Sequence, residues 1–172
     1  MPDRKTTEKA HAAKRAGKSP GTQAGAFVQD EIERVRHGEH GVRNAKQAVA
    51  IGLSKARRAG VDLKPPKPGT TSAATRRKAA QDSAAGHGER KRASSTETKA
   101  KRSRTTEAVL KRESKAGASK PALAKQAKSA AAKRPAASRS AAAKKGAATK
   151  GAAARSAAAK KAAQTRAARA HR

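Results

Sequence analysis

Three short stretches carry the densest chemistry in this chain: SAAAKR from position 129, SAAAKK from 140 and SAAAKK again from 156. Each joins two positive side chains to a run of small, helix-favouring residues, and the chemistry open to such a pair is neutralisation of phosphate. The copies start 11 and then 16 residues apart. Eleven residues make about three helical turns and sixteen about four and a half, so the pairs hold no common face. Charge density and flexibility are what this pattern predicts to be repeated, not geometry. The fitting partner is itself a line of charge.

Lys133 and Arg134, Lys144 and Lys145, and Lys160 and Lys161 are therefore candidate DNA-binding residues. Arg76, Arg77 and Lys78, then Arg90, Lys91 and Arg92, then Lys101 and Arg102 form further basic clusters of the same kind. Arg43, Lys46, Arg57 and Arg58 join them from a helical stretch described below.

Other motifs do not support more specific chemistry. GKS at 17–19 has the ending of a phosphate-binding P-loop, but Ala12 stands where that loop needs its earlier glycine, and a helix precedes it instead of a strand. GEHG at 38–41 has the form of the KH-module GxxG loop, yet no strands flank it and its middle residues, Glu39 and His40, are not basic. His37 and His40, near Glu33 and Glu39, lack a defined fourth ligand and read as solvated histidines at a helix end. RKRASS (90–95) and KRSRTT (101–106) set hydroxyls beside basic runs, as phosphate-accepting sites do, and so basic a composition also produces such runs by chance. No catalytic residue, cofactor site or metal site is nominated, and no enzyme is expected.

The elements that must position these charges follow from composition. The chain has 172 residues, 43 Lys+Arg against 12 Asp+Glu, and a net charge of +31. Phe27 is its only aromatic residue, cysteine is absent, and much of the 35% hydrophobic content is alanine. Alanine buries little surface against the entropy of ordering a backbone, so the composition predicts a mostly disordered chain. The expected fold class is a small all-α N-terminal part of two to three short helices, followed by a long basic Ala/Lys/Arg-rich disordered tail. Without cysteine there is no disulfide framework. The start, MPDRKTTEKAHAAKRAG, shows no apolar run, so a cytoplasmic, nucleoid location and no membrane partner are expected.

The charge divides unevenly. Residues 1–64 hold 14 Lys+Arg and 7 Asp+Glu, a net of +7, and residues 65–172 hold 29 and 5, a net of +24. KPPKPG at 64–69 marks the break, and its prolines favour an extended linker over 65–69. Helices are expected near 4–16, 22–37 and 43–59. In the second, Ala24, Phe27, Val28, Ile32 and Val35 share a face. In the third, Ala45, Ala48, Val49, Gly52, Leu53 and Ala56 fall on a packing side, opposite Arg43, Lys46, Gln47, Ser54, Arg57 and Arg58, with Ile51 near the polar edge as the departure. Over 70–172, like charge, Pro121 and Pro135 are expected to oppose fixed helix, with Gly146 and Gly151 as weak points. Helix should then be transient in water and increase on DNA.

Two resemblances attach to these stretches. Residues 1–64, most specifically KQAVAIGLSKARRAG (46–60), resemble a family of small basic bacterial proteins classed as a domain of unknown function, which brings no established activity. Residues 70–172 resemble the Ala/Lys-rich arms of histone H1 and bacterial H1-like proteins. That likeness implies DNA binding driven by the tail, and the chain departs from eukaryotic linker histones in lacking a recognisable winged-helix domain.

The expected function is non-sequence-specific binding and condensation of double-stranded DNA by a nucleoid-associated, H1-like protein. The alternatives are an RNA- or ribosome-associated basic protein, and a protein-interaction module (22–64) with a polyanion-anchoring tail. RNA and polyphosphate are the competing polyanions, and the thin core of the helical part leaves self-association open.

Overall fold

A computed structural model describes residues 3–88 and 99–170. Among the described residues the chain forms seven α-helices and one 3₁₀-helix. The expectation of a mostly disordered chain is thereby overturned. Arg90, Lys91, Arg92 and the RKRASS run lie outside the described residues.

Local chemistry starts each helix of the N-terminal part. The Asp3 side chain accepts from the Lys5 N–H to cap α1 (Arg4–Arg15), and Ser19 caps α2 (Pro20–His37), with Pro20 in the first turn. Asn44 caps α3 (Ala45–Arg58) by accepting from the Gln47 N–H, and Gln47 Oε1 in return accepts from the Arg43 N–H at 2.8 Å. Beyond the KPPKPG stretch, which ends in a turn over 68–70, Ser72 caps α4 (Ala73–Gly86).

The chain divides into two compact units, 1–126 and 127–172. In the first, Ala10, Ala24, Phe27, Ala56 and Val61 form one buried cluster, with Leu53 and Leu63 packed against it. Phe27 is wholly buried, a contribution of about 3 kcal/mol. A second cluster joins Val35, Val42, Ala48 and Ala118, with Ile32 and Ile51 against it. Ile51, the departure from the wheel pattern, is thus a core-packing residue.

Ala118 comes from the stretch expected to be a structureless tail. α5 (Lys99–Arg112) leads into the 3₁₀-helix Lys115–Ala118, which lies on α2 and α3. The Gly41 N–H donates to the Leu110 carbonyl and the Val42 N–H to that of Ser114, both at 2.9 Å. Arg36 Nε donates to the Ala118 carbonyl at 3.0 Å. This segment covers the side of α3 that the sequence alone leaves open, which is why Ile51 finds a core.

α6 (Lys120–Ala132) and α7 (Ala136–Ala170) complete the chain. The prolines expected to oppose helix here sit where helix tolerates them. Pro121 lies in the first turn of α6, and Pro135 immediately precedes α7. Gly146 stays helical, whereas Gly151 (φ 71°, ψ 167°) interrupts α7 in a region that favours glycine. Like-charge repulsion is weak for a reason visible in the spacing. From Arg139 to Arg169 no two cations stand four residues apart, and Arg166 and Arg169 alone stand three apart. Those spacings are the ones that face each other on a helix, so the propensity of alanine prevails.

Two glycine substitutions test the packed and the open parts. A Cβ at Gly41 would overlap the Glu113 carbonyl, whereas one at Gly146 meets nothing within 4 Å. Gly41→Ala should therefore lower stability by about 1–3 kcal/mol in denaturant titration. Gly146→Ala should instead raise helicity by circular dichroism, with a gain of about 0.5–1 kcal/mol.

Candidate nucleic-acid interface

Which positive charges are free for a ligand depends on which are held within the fold. α2 carries Glu31 on the same side as Phe27 and Val35, and its carboxylate is fully buried. Lys55 of α3 donates to Glu31 Oε2 at 2.5 Å, while His40 Nε2, from the turn after α2, stands 3.3 Å from Oε1. His40 is half-buried against this acid and is not the solvated histidine the sequence suggested.

A second buried acid performs the same task between α3 and α4. Asp82 is 2% exposed. Its Oδ2 accepts from Ser54 Oγ at 2.6 Å, and its Oδ1 lies 3.5 Å from Arg58 Nε and 3.3 Å from Lys78 Nζ. Ser54 also accepts from Arg58 Nη2 at 2.7 Å.

Beside Glu31 opens a polar cleft of about 920 Å³ that includes Arg34, Lys55, Arg58, Lys78 and Lys111 in its walls. Five cations in one cleft suggest an anion site, but each has a carboxylate. Arg34 donates to Glu39 at 2.6 Å, Lys55 faces Glu31, Arg58 and Lys78 share Asp82, and Lys111 faces Glu107 at 3.0 Å. Partial burial opposes the Arg34 charge, and Glu39, with Asp30 and Glu31, overcomes it and raises the guanidinium above its ordinary value. Four carboxylates thus hold the five cations within the fold.

The candidate DNA-binding residues sort accordingly. Arg57, expected on the exposed basic face of α3, is buried at 8% exposure, with Nη2 3.4 Å from the Lys64 carbonyl. Burial pushes its guanidinium below the usual arginine value, against the attraction of Asp82. α4 packs on α3 at this level and covers a side chain that a helical wheel of α3 leaves in water. Arg58 and Lys78 are exposed yet held by Asp82. Arg76 is half-buried, while Lys46 and Arg77 are exposed. Arg43 is exposed, with Nε 3.6 Å from Glu113. Lys101 is exposed on α5, and Arg102 belongs to the same helix.

Residues 127–172 present the opposite situation, with 13 Lys+Arg and no Asp or Glu. Lys133 and Arg134 are exposed at the turn after α6, where Arg134 Nη2 donates to Ser138 Oγ at 3.0 Å. Lys144, Lys145, Lys160 and Lys161 are all exposed on α7. So are Arg139, Lys150, Arg155 and Arg166, which reading the lysine pairs alone passes over. The signal for them is an alignment at offset 16, where RSAAAKK at 139–145 matches 155–161 and a Thr followed by a cation recurs at 149–150 and 165–166.

No family model, curated protein or solved structure matches this chain. Its geometry carries the functional reading. Among the described residues no group of His, Cys, Asp or Glu has the arrangement of a metal site, and no helix is long and apolar enough to cross a membrane.

The buried acid gives a direct test of the α2–α3 contact. Glu31→Leu leaves Lys55 partly buried without its carboxylate, and a cost of about 3 kcal/mol is expected in denaturant titration followed by circular dichroism. Adding Lys55→Met should recover most of that loss.

Proposed function

We propose that this protein binds duplex DNA without strong sequence preference and condenses it, acting as a nucleoid-associated protein of the cytoplasm and not as an enzyme. The observation that carries the reading is the contrast between the units. The five cations in the cleft of the first are held by four carboxylates, whereas the second carries 13 Lys+Arg with no acid at all. Exposed cations on a helix displace the counterions condensed on a duplex, and that release drives binding with a salt slope of about −0.9 per phosphate neutralised. The absence of Trp and Tyr, and the burial of Phe27, leave no aromatic platform for stacking single-stranded bases, which favours a duplex partner.

A second reading, a protein-docking role for the helical part, is favoured by one feature. An apolar groove of about 510 Å³ between α3 and α4 is lined by Val49, Leu53, Pro66 and Ala79 among others. Under that reading, Val49→Glu, at a groove residue outside both core clusters, abolishes a partner interaction and leaves duplex affinity unchanged.

The test of the main proposal is a titration of labelled duplex DNA at several salt concentrations, with duplex RNA and polyphosphate as competitors. The parent chain should lose about three decades of affinity or more between 50 and 200 mM salt. Replacing Arg139, Lys144, Lys145, Lys150, Arg155, Lys160, Lys161 and Arg166 with Gln should flatten the slope by up to about 7. An unchanged slope would remove these eight side chains from the interface. Stronger competition by RNA than by DNA would favour the RNA-associated alternative.

A further inference from the structure

The repeat has a geometry that its spacing conceals. Pro135 and Gly151 stand 16 residues apart, and helix restarts after each, at 136 and at 152. Each restart resets the helical phase, so the 16-residue offset that scrambles a continuous helix places equivalent residues at equivalent positions of two successive segments. Arg139, Lys144, Lys145 and Lys150 in the first correspond to Arg155, Lys160, Lys161 and Arg166 in the second. The segments share an internal bond as well. Thr149 Oγ1 donates to the Lys145 carbonyl and Thr165 Oγ1 to that of Lys161, each at 2.9 Å.

Four cations of each segment, those that repeat at offset 16, fall on two opposed faces. At about 100° per residue, Arg139 and Lys150 lie within about 20° of each other, while Lys144 and Lys145 stand about 140° and 240° away. The second segment repeats these angles with Arg155 and Arg166 against Lys160 and Lys161. The first face sets its cations about 16 Å apart along the axis, and with long side chains that pair reaches phosphates on both walls of a major groove about 12 Å wide. The second face presents an adjacent lysine pair to the other side. All eight side chains are exposed.

We infer that each of these segments is a two-sided grip that holds one duplex on the Arg139/Lys150-type face and a second duplex on the Lys144/Lys145-type face. The inference rests on the duplex-binding reading above and adds how condensation arises: by bridging through opposed faces of a single helix, not by charge density alone.

Three full-length variants with four Gln substitutions each separate these accounts. One removes the first face (Arg139, Lys150, Arg155 and Arg166), and one removes the second (Lys144, Lys145, Lys160 and Lys161). A control removes the same charge but leaves a cation on both faces (Arg139, Lys144, Arg155 and Lys160). Affinity for one labelled duplex is read by anisotropy, and bridging by capture of a second labelled duplex on beads carrying the first. Bridging by both face variants should fall at least about fivefold below the control at matched single-duplex affinity. Equal bridging by all three variants would overturn the two-sided grip while leaving duplex binding intact. Failure of the parent chain to bind a single duplex would overturn both.

Discussion

The fold of the first unit turns on two carboxylates taken out of water. Glu31 and Asp82 are both essentially inaccessible, and each is compensated by cations from a neighbouring element. Charges buried this way contribute less net stability than their proximity suggests, because desolvation offsets most of the attraction. What they supply is register. Glu31 meets Lys55 at one angular setting of α3 against α2, and Asp82 meets Ser54 and Arg58 at one setting of α4 against α3. In a core whose members are mostly alanine and valine, with a single Phe, few side chains are large enough to fix those settings by shape.

This clamp also sorts the charge of the molecule. Lys55, Arg58 and Lys78 stand in basic stretches of sequence, yet they are occupied by the fold. The acid-free second unit has no such internal use for its cations, and its alanines leave them exposed on helix. Net charge alone does not distinguish the two roles, whereas the placement of a few acids does.

The three N-terminal helices are legible because their signals are local: Ala24, Phe27, Val28, Ile32 and Val35 on one face of the second, and Ala45, Ala48, Val49, Gly52, Leu53 and Ala56 on one side of the third. Glu31 was not legible, since a lone acid beside an apolar face reads as solvated until α3 brings Lys55 to it. Arg57 and Ile51 each depended on what packs from outside α3, namely α4 and the segment 113–118, and no wheel of α3 contains that information. The helical tail was misjudged for a different reason. Total charge does not carry the spacing that keeps cations from facing one another, and Pro135 and Gly151 read as defects although they divide two matching segments.

The central claim is that the fold occupies the cations of the first unit's cleft and leaves those of the second unit for phosphate. Lysine-reactive footprinting of the full chain, read by mass spectrometry with and without duplex DNA, tests it most directly. Lys144, Lys145, Lys150, Lys160 and Lys161 should react readily in the free protein and become protected on DNA. Lys55 should react slowly in both states. Protection confined to Lys46, Lys55 and Lys78, with α7 lysines unchanged, would contradict the account.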